Sequence, residues 1–115
     1  MNKKYNVLIN GNGRVAHGLR HYFARLPLVK RASFLSSAKE CAKSDLLVGA
    51  LPGAIGARCL DLALRYRKNL IDISDLDPPE YLRWQKKIKQ CGILVIPGCG
   101  FSPGLVNFIL GWELG

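Results

Sequence analysis

Short apolar runs alternate with longer segments of helical periodicity along most of the chain. The apolar runs have the length of buried β-strands and cover residues 5–10, 31–35, 46–50, 69–73 and 92–97. Between them, apolar residues recur at spacings of three and four, which predicts amphipathic helices. These helices are expected over residues 14–25 and 54–66, from residue 77 onward, and over 105–113. The segment 36–44 is too short for a further full helix–strand–helix passage.

The first predicted helix has one apolar side and one basic side. The apolar stripe that we expect to face the sheet consists of Val15, Leu19, Tyr22, Phe23 and Leu26. On the opposite side, His17 and His21 are four residues apart, a spacing that can hold a metal ion. Because no third ligand accompanies them, we interpret both as solvated side chains beside Arg14 and Arg25. Pro27 is expected to end the helix.

Local signals mark the start of the third predicted helix. Asp77 can act as the N-cap, Pro78 suits the first helical position, and Glu80 completes an arrangement like a capping box. The side chains expected to face inward are Tyr81, Trp84 and Ile88.

A glycine-rich turn joins the first strand to the first helix. Residues 11–16 read Gly-Asn-Gly-Arg-Val-Ala, a form of the fingerprint for dinucleotide binding. Gly11 can adopt the positive φ of a sharp turn. Gly13 leaves space for a pyrophosphate at the helix N-terminus, where unpaired N–H groups attract an anion. The turn therefore predicts a nucleotide site, and a tight turn without a ligand is the alternative.

The predicted fold is one α/β domain over residues 1–115, with a doubly wound, Rossmann-type parallel sheet of about five strands. Right-handed crossovers predict the strand order 2-1-3-4-5 with helices on both faces. Ligands of such sheets bind at the carboxyl ends of the strands, near the point where the strand order reverses. The loop 98–104 is expected at the same edge. The predicted cofactor-binding residues are Gly11, Asn12, Gly13, Arg14, Val15, Ser36, Ser37, Leu51 and Pro52.

The composition favours a soluble, cytoplasmic protein. Of the 115 residues, 49% are hydrophobic, but no apolar run reaches the ~18 residues of a membrane span. The N-terminal residues do not resemble a signal peptide. The four cysteines contain no C-x-x-C pair, which argues against zinc and thioredoxin-type sites. We expect reduced, largely buried thiols, and only Cys99, in a glycine-rich loop, is considered as a nucleophile.

The net charge of +9 is unevenly distributed along the chain. No Asp or Glu precedes Glu40, whereas eight Lys or Arg residues do. This asymmetry predicts an anionic partner or a solvated basic face. Nucleic acid is the weaker interpretation, because the charge accompanies a phosphate-binding motif and no aromatic-rich basic strand or recognition helix is evident. A methyltransferase would share the glycine-rich turn but usually has an acid after the second strand.

These segments together resemble the N-terminal nucleotide-binding domain of saccharopine dehydrogenase-like oxidoreductases. The resemblance covers nearly the whole chain and is carried by the fingerprint, by Leu51-Pro52, by residues 68–75 and, most specifically, by the loop at 96–104. Ser102 stands where the family usually has an Asp before the Pro-Gly of this loop. The segment after the second strand is also shorter than in the family. The family's substrate-binding and dimerising domain has no counterpart in these residues.

The resemblance implies NAD or NADP as the hydride carrier, acting on amino-acid-derived imines or secondary amines. NAD enzymes commonly hold the ribose 2′-OH with a carboxylate about 20 residues past the glycines. Here that region is Leu35, Ser36 and Ser37, and no acid follows until Glu40. Serine hydroxyls together with Arg14, Arg31 or Lys39 suit a 2′-phosphate. The sequence therefore predicts NADP(H) in preference to NAD(H).

No catalytic residue is assigned from the sequence. Asp72 and Asp75 end a strand at the correct edge, but the start of a helix explains Asp75 equally well. The alternative function is a non-catalytic module that binds a dinucleotide without turnover.

The last predicted helix is apolar on almost every side. Its apolar residues are Val106, Phe108, Ile109, Leu110 and Trp112. Because such a helix normally becomes buried, we infer that it packs against a missing substrate domain or a partner subunit, including the second copy of a homodimer. Docking onto the sheet of the same domain is the alternative.

Overall fold

The computed structural model describes residues 3–74, 78–100 and 104–114. Within these ranges the strands are β1 (Tyr5–Asn10), β2 (Val29–Phe34), β3 (Leu46–Gly49), β4 (Asn69–Asp72) and β5 (Val95–Ile96). The helices are α1 (Arg14–Phe23), α2 (Ala57–Tyr66), α3 (Pro78–Cys91) and α4 (Leu105–Leu114). The strands form one parallel sheet in the order β2-β1-β3-β4-β5. The predicted α/β fold and its strand order are confirmed.

Most predicted elements differ from the observed ones only at their ends. α1 ends at Phe23, earlier than predicted and before Pro27. β2 begins two positions earlier than predicted, at Val29. β5 is limited to Val95 and Ile96, because only these residues pair with β4. A separate 3-10 turn, Gly53–Ile55, precedes α2 where one continuous helix was predicted.

α3 begins at Pro78, the first helical position predicted from its local sequence. Asp75 and the predicted N-cap Asp77 lie outside the described residues. The side chains that pack against the hydrophobic core from this helix include Tyr81, Trp84 and Ile88, as predicted.

The connection between β2 and β3 is a short 3-10 helix, Ala38–Lys43. This confirms that the segment holds no further α-helix and strand. Ser37 is the N-cap, and the Glu40 side chain returns to the N-cap backbone in a capping box. The fold of this connection is therefore fixed by polar contacts at its start as well as by the buried Cys41.

Helices cover both faces of the sheet and divide the core into two clusters. On one face, Val7, Ile9 and Val48 pack against α1. On the other face, Leu8, Leu47, Leu70 and the buried residues of α2 form the second cluster, against which α3 also packs. This alternation follows from the strand period of two, since neighbouring residues of a strand point to opposite faces.

The side of α1 that faces the sheet agrees only in part with the predicted stripe. Ala16 is fully buried, and Leu19 and Phe23 pack against the same cluster. The predicted positions that are instead exposed are Val15, Tyr22 and Leu26. The stripe was predicted from large apolar side chains. The helix instead approaches the sheet most closely through the small side chain of Ala16, at the end of the glycine-rich segment 11–16.

His17 and His21 are both exposed on α1. The ring of His17 lies 4.6 Å from that of Phe34, and the ring of His21 lies 5.5 Å from that of Tyr22. In the described part of the chain, no group of three or more His, Cys, Asp or Glu residues could hold a metal ion.

The described side chains of α4 are largely exposed. Phe108 is 67% and Trp112 is 77% exposed, and their rings lie 6.4 Å apart. The apolar side chains of α4 that the structure describes are therefore not buried on the sheet of this chain. In the ranges that the structure describes, none of the helices is long and apolar enough to cross a membrane.

A substitution at Gly49, at the end of β3, tests how closely the sheet edge is packed. A Cβ atom there would lie 2.5 Å from Oδ1 of Asp72 and 3.0 Å from Sγ of Cys59. We expect Gly49→Ala to lower the free energy of unfolding by about 2 kcal/mol through overpacking. The matched control is Gly18→Ala on α1, where a Cβ meets nothing within 4 Å. The control should raise stability by about 0.5–1 kcal/mol. Urea denaturation measures the free energies of unfolding of both variants. A Gly49→Ala variant as stable as the wild type would contradict the close packing of Gly49 against Asp72 and Cys59.

Candidate functional site

The glycine-rich turn lies where the carboxyl ends of β1 and β3 approach each other. The Ala50 N–H donates a hydrogen bond of 2.8 Å to the Asn10 carbonyl. Gly11 has a φ of +153°, and a Cβ there would lie 2.6 Å from the carbonyl oxygen of Ala50. Glycine is therefore required at this position by backbone conformation and by the close approach of the neighbouring strand.

Gly13, in contrast, has no protein contact that requires a glycine. It is the N-cap of α1 in an extended conformation, and a Cβ at this position would meet nothing within 4 Å. The N-terminus of α1 has no side-chain cap hydrogen bond and no acidic residue in its first turn. The first N–H groups of a helix need acceptors. An open space in front of this helix end fits an anionic group such as a pyrophosphate.

The exposed side chains around this helix end include three of the residues predicted to bind the cofactor. They are Asn12, Arg14 and Val15. Val15 was expected to be in the core, so its exposure leaves it available to a ligand.

The end of β2 lies beside the same turn. Ile9 is opposite Phe34 in the parallel pairing, and the Leu35 N–H donates a hydrogen bond of 2.8 Å to the Ile9 carbonyl. Gly11 and Ser36 are each two residues beyond this last pair along their own strands. Adjacent strands are about 4.8 Å apart, so the predicted serines and the glycine-rich turn share one edge of the sheet.

The ends of β1, β2 and β3 and the start of α2 line an open crevice of about 560 Å³. Asn10, Leu35 and Leu51 line it from the sheet. Arg58 and Asp61 line it from α2, and neither was predicted, because the apolar pattern of a helix does not indicate which polar residues face a cleft. The exposed Pro52 is the N-cap of the 3-10 turn that leads into α2.

The carboxylate of Glu40, which was not predicted at this site, contacts the residues that follow β2. The Oε1 atom of Glu40 accepts hydrogen bonds from the N–H groups of Ser37, at 3.0 Å, and Ser36, at 3.3 Å, and from the Ser36 hydroxyl. The Ser36 hydroxyl is the largest cause that lowers the pKa of Glu40, and Arg31 adds to it. The Ser-x-x-Glu spacing of a capping box is the sequence signal that could have identified this contact.

A second carboxylate, that of Asp72, is fully buried at the end of β4. It accepts hydrogen bonds from the Tyr81 hydroxyl and from the Ser74 N–H, the latter at 2.9 Å. The main-chain carbonyl of Asp72 accepts a bond of 3.2 Å from the Cys99 N–H. Asp72 therefore joins β4, α3 and the loop after β5 at the same edge of the sheet.

The loop after β5 occupies the edge where it was predicted, as far as it is described. Residues 101–103, including Ser102, lie outside the described residues. Gly100 and Gly104 form a parallel bridge, and the Leu105 N–H donates a bond of 2.8 Å to the Gly100 carbonyl. The loop thus closes on itself immediately before α4.

The thiols at this edge are not activated as nucleophiles. All four cysteines are free, with Cys41 and Cys59 buried and Cys99 exposed. Burial, and then the Asp72 carboxylate, raise the pKa of Cys59 to about 12. The same two causes raise the pKa of Cys99. A reactive thiolate needs a lowered pKa, so the interpretation of Cys99 as a nucleophile is not supported.

No family model matches the chain, and no curated protein matches it. The chain is similar to the solved structure of saccharopine dehydrogenase (L-Glu forming) from Saccharomyces cerevisiae, with a TM-score of 0.73 and 20% identity. It is similar to myo-inositol 2-dehydrogenase from Lactobacillus plantarum, with a TM-score of 0.62 and 18% identity. A third similar structure is pyrroline carboxylate reductase from Plasmodium falciparum with NADP bound, with a TM-score of 0.53 and 14% identity.

These similarities establish the fold. The alignments cover 87%, 84% and 98% of this chain and 28%, 36% and 71% of the three enzymes, in the same order. The chain therefore spans about a third of the first two dehydrogenases. The resemblance to saccharopine dehydrogenase that the motifs predicted is confirmed at the level of the fold.

The buried thiol of Cys59 predicts an alkaline loss of stability. In the folded protein its pKa is raised from 9.0 to about 12. As the pH rises, the unfolded chain therefore loses this proton before the folded protein does. The stability that the buried, protonated thiol contributes is present below pH 9 and is lost as the pH rises toward 12. For one such proton, the free energy of unfolding falls by about 1.4 kcal/mol per pH unit between these two pKa values. We expect Cys59→Ala to be less stable at pH 7, but to lose less stability than the wild type between pH 9 and 11. Parallel loss in urea titrations of both proteins would contradict this assignment.

Proposed function

We propose that this chain is the nucleotide-cofactor-binding domain of a saccharopine dehydrogenase-like oxidoreductase. The observation that carries the proposal is the uncapped N-terminus of α1, which lies open in front of Gly13. It stands directly after the close contact between Gly11 and Ala50, at the point where the strand order reverses. Sheets of this kind bind dinucleotides at this point.

The predicted residues divide the cofactor among them. The backbone at Gly11, Asn12 and Gly13 and the first N–H groups of α1 hold the pyrophosphate. Val15 follows in the first turn of α1. The residues near the adenosine ribose are Arg14, Ser36 and Ser37, and those along the path toward the nicotinamide are Leu51 and Pro52. A bound nicotinamide dinucleotide supplies the hydride-transfer chemistry, and the protein orients it.

The proposed substrate is an amino-acid-derived imine or secondary amine, as the family resemblance implies. A substrate domain is required for the other wall of the site, because the acids and thiols described at this edge are engaged or protonated. The exposed apolar residues of α4, including Phe108 and Trp112, provide a surface against which such a domain or a second subunit can pack. A cytoplasmic location and a homodimer stay predictions.

A non-catalytic dinucleotide-binding module is the second candidate. It is favoured by the state of Asp72, a fully buried acid whose two carboxylate oxygens accept hydrogen bonds from Tyr81 and Ser74. Among the described residues at this edge, Glu40 is also held by hydrogen bonds. Neither is arranged to exchange a proton with a substrate. Turnover with an added imine and reduced cofactor distinguishes the two candidates.

Substitution of Gly13 tests the location of the site. We expect Gly13→Val to weaken NADPH binding by at least about tenfold, or roughly 1.4 kcal/mol, because the side chain fills the space proposed for the pyrophosphate. The fold should be retained, since a Cβ at Gly13 meets no protein atom within 4 Å. The matched control is Gly18→Val in the same helix, also open at its Cβ. Fluorescence titration measures the affinities, and equal affinities for Gly13→Val and the wild type would place the site elsewhere.

The cofactor form is a separate prediction. Ser36 and Ser37, together with Arg14, Arg31 or Lys39, are proposed to favour the 2′-phosphate of NADP(H) over NAD(H). Titration of the wild type with NADPH and NADH decides between them, and equal or tighter binding of NADH would contradict the preference.

A further inference from the structure

The positive charge of the chain is confined to its first 89 residues. All 17 Lys and Arg residues lie there, and Glu113 is the only charged residue in the segment 90–115. A chain with a net charge of +9 repels its own copies over most of its surface. The segment that contains β5 and α4 is therefore the region where two copies can approach without repulsion between cations.

α4 presents a large apolar surface in this uncharged region. Its exposed apolar side chains are Leu105, Phe108, Ile109, Leu110, Trp112 and Leu114. A helix that is apolar on all sides is normally buried, so these side chains require a cover that the described part of the chain does not supply.

A second apolar surface lies on the face of β4 and β5 that is turned away from α2 and α3. Leu70 pairs with Val95, and both contribute to the core on the α2 and α3 side. Because neighbouring residues of a strand point to opposite faces, Ile71, Leu94 and Ile96 lie on the other side, which we call the β5 face. Leu94 is 61% and Ile96 is 43% exposed. On this side of the sheet α1 packs against β1 and β2, and in the ranges described no helix covers the β5 face.

We propose that the chain forms a reciprocal homodimer in which α4 of each copy packs on the β5 face of the other. The inference goes beyond the proposed function and does not depend on cofactor binding. In a two-fold dimer each contact occurs twice, so a single arrangement covers both apolar surfaces of both copies. Since α4 and β5 both belong to the segment without Lys or Arg, the contact brings no cations of these two elements together.

The exposed apolar area is sufficient for a stable dimer. Eight large apolar side chains contribute from each copy, six on α4 together with Leu94 and Ile96. At roughly 100 Å² for each partly exposed side chain, two copies bury about 1,600 Å², the size of a standard stable interface.

The composition of α4 argues against two other occupants. An acidic protein would be attracted by cations, and α4 contains no Lys or Arg. A helix that lies on a membrane surface has a strongly polar face that is rich in these residues, which α4 also lacks. A surface of the same uncharged, apolar character is the better match, and the chain itself supplies one in its β5 face.

Analytical ultracentrifugation of the 115-residue chain tests the dimer, and we expect twice the mass of one chain. Trp112→Lys on α4 and Leu94→Glu on the β5 face should each raise the dissociation constant at least about 100-fold, because each buries a charge in an apolar contact. Both side chains are exposed in the single chain, so the fold should be retained. The matched controls are Tyr22→Lys and Leu28→Glu, which change exposed apolar residues near the opposite edge of the sheet. Neither control should alter the mass.

Mixing the two variants tests the reciprocal arrangement. A dimer of one Trp112→Lys chain with one Leu94→Glu chain has one unaltered contact, and in the other contact the introduced cation meets the introduced carboxylate. We therefore expect the equimolar mixture to form a dimer at concentrations where each variant alone is monomeric. If α4 packed only against α4, Leu94→Glu would not weaken the dimer and mixing would not restore it. That result would overturn the inference.

Three further outcomes contradict the dimer. One is a wild type that is monomeric at every concentration. Another is a monomer whose α4 amides are protected from hydrogen exchange, since the helix would then be docked on its own sheet. The third is a monomer that binds phosphatidylcholine vesicles through α4.

NADPH titration keeps this inference separate from the proposed function. Trp112→Lys and Leu94→Glu should bind NADPH with the affinity of the wild type, since neither residue belongs to the proposed cofactor site. A wild type that dimerises but binds neither NADPH nor NADH would overturn the proposed function alone. A wild type that binds NADPH only as a monomer would overturn the dimer alone.

Discussion

The close contact between Gly11 and Ala50 is the constraint on which this edge of the sheet depends. No side chain fits at Gly11, because its Cβ would lie within 3 Å of the Ala50 main chain. The ends of β1 and β3 can therefore lie side by side, and α1 starts immediately after them. The two glycines of this motif are thus explained in different ways. Packing within the chain requires Gly11, whereas nothing in the described protein requires Gly13, and this difference is the strongest support for a ligand in front of α1.

The other half of the edge is organised by the buried carboxylate of Asp72. Burying an ionisable group is costly unless it is hydrogen-bonded, and here Tyr81 and Ser74 supply the bonds. Through its main chain the same residue also holds Cys99. The arrangement gives β4, α3 and the last loop a common anchor. It also explains why the nearby Cys59 stays protonated, since a buried thiolate beside a carboxylate would be doubly unfavourable.

The architecture was predictable because its signals are local and agree with one another. β1 has the predicted bounds, and the glycine-rich turn, the start of α3 and the strand order follow from turn chemistry and from the alternation of elements. Leu19 and Phe23 of α1 pack against the core as predicted. The exposure of the other large apolar residues of this helix was not predictable, since the close approach is made through Ala16. Arg58 and Glu40 were missed for a related reason. Arg58 reaches the crevice after a 3-10 turn has redirected the chain, which linear spacing does not show. Glu40 lies within the 3-10 helix itself, and only its capping-box spacing from Ser37 could have indicated its contact.

The brevity of the link between β2 and β3 has a consequence for how the sheet is assembled. Loop-closure entropy grows with the number of residues that must be held between two paired segments. The single 3-10 helix, Ala38–Lys43, keeps this number small, although the link passes over β1 from one side to the other. Bringing three neighbouring strands into register is therefore inexpensive in chain entropy. The strands around the glycine-rich turn, β1, β2 and β3, consequently come from one short, continuous stretch of the chain.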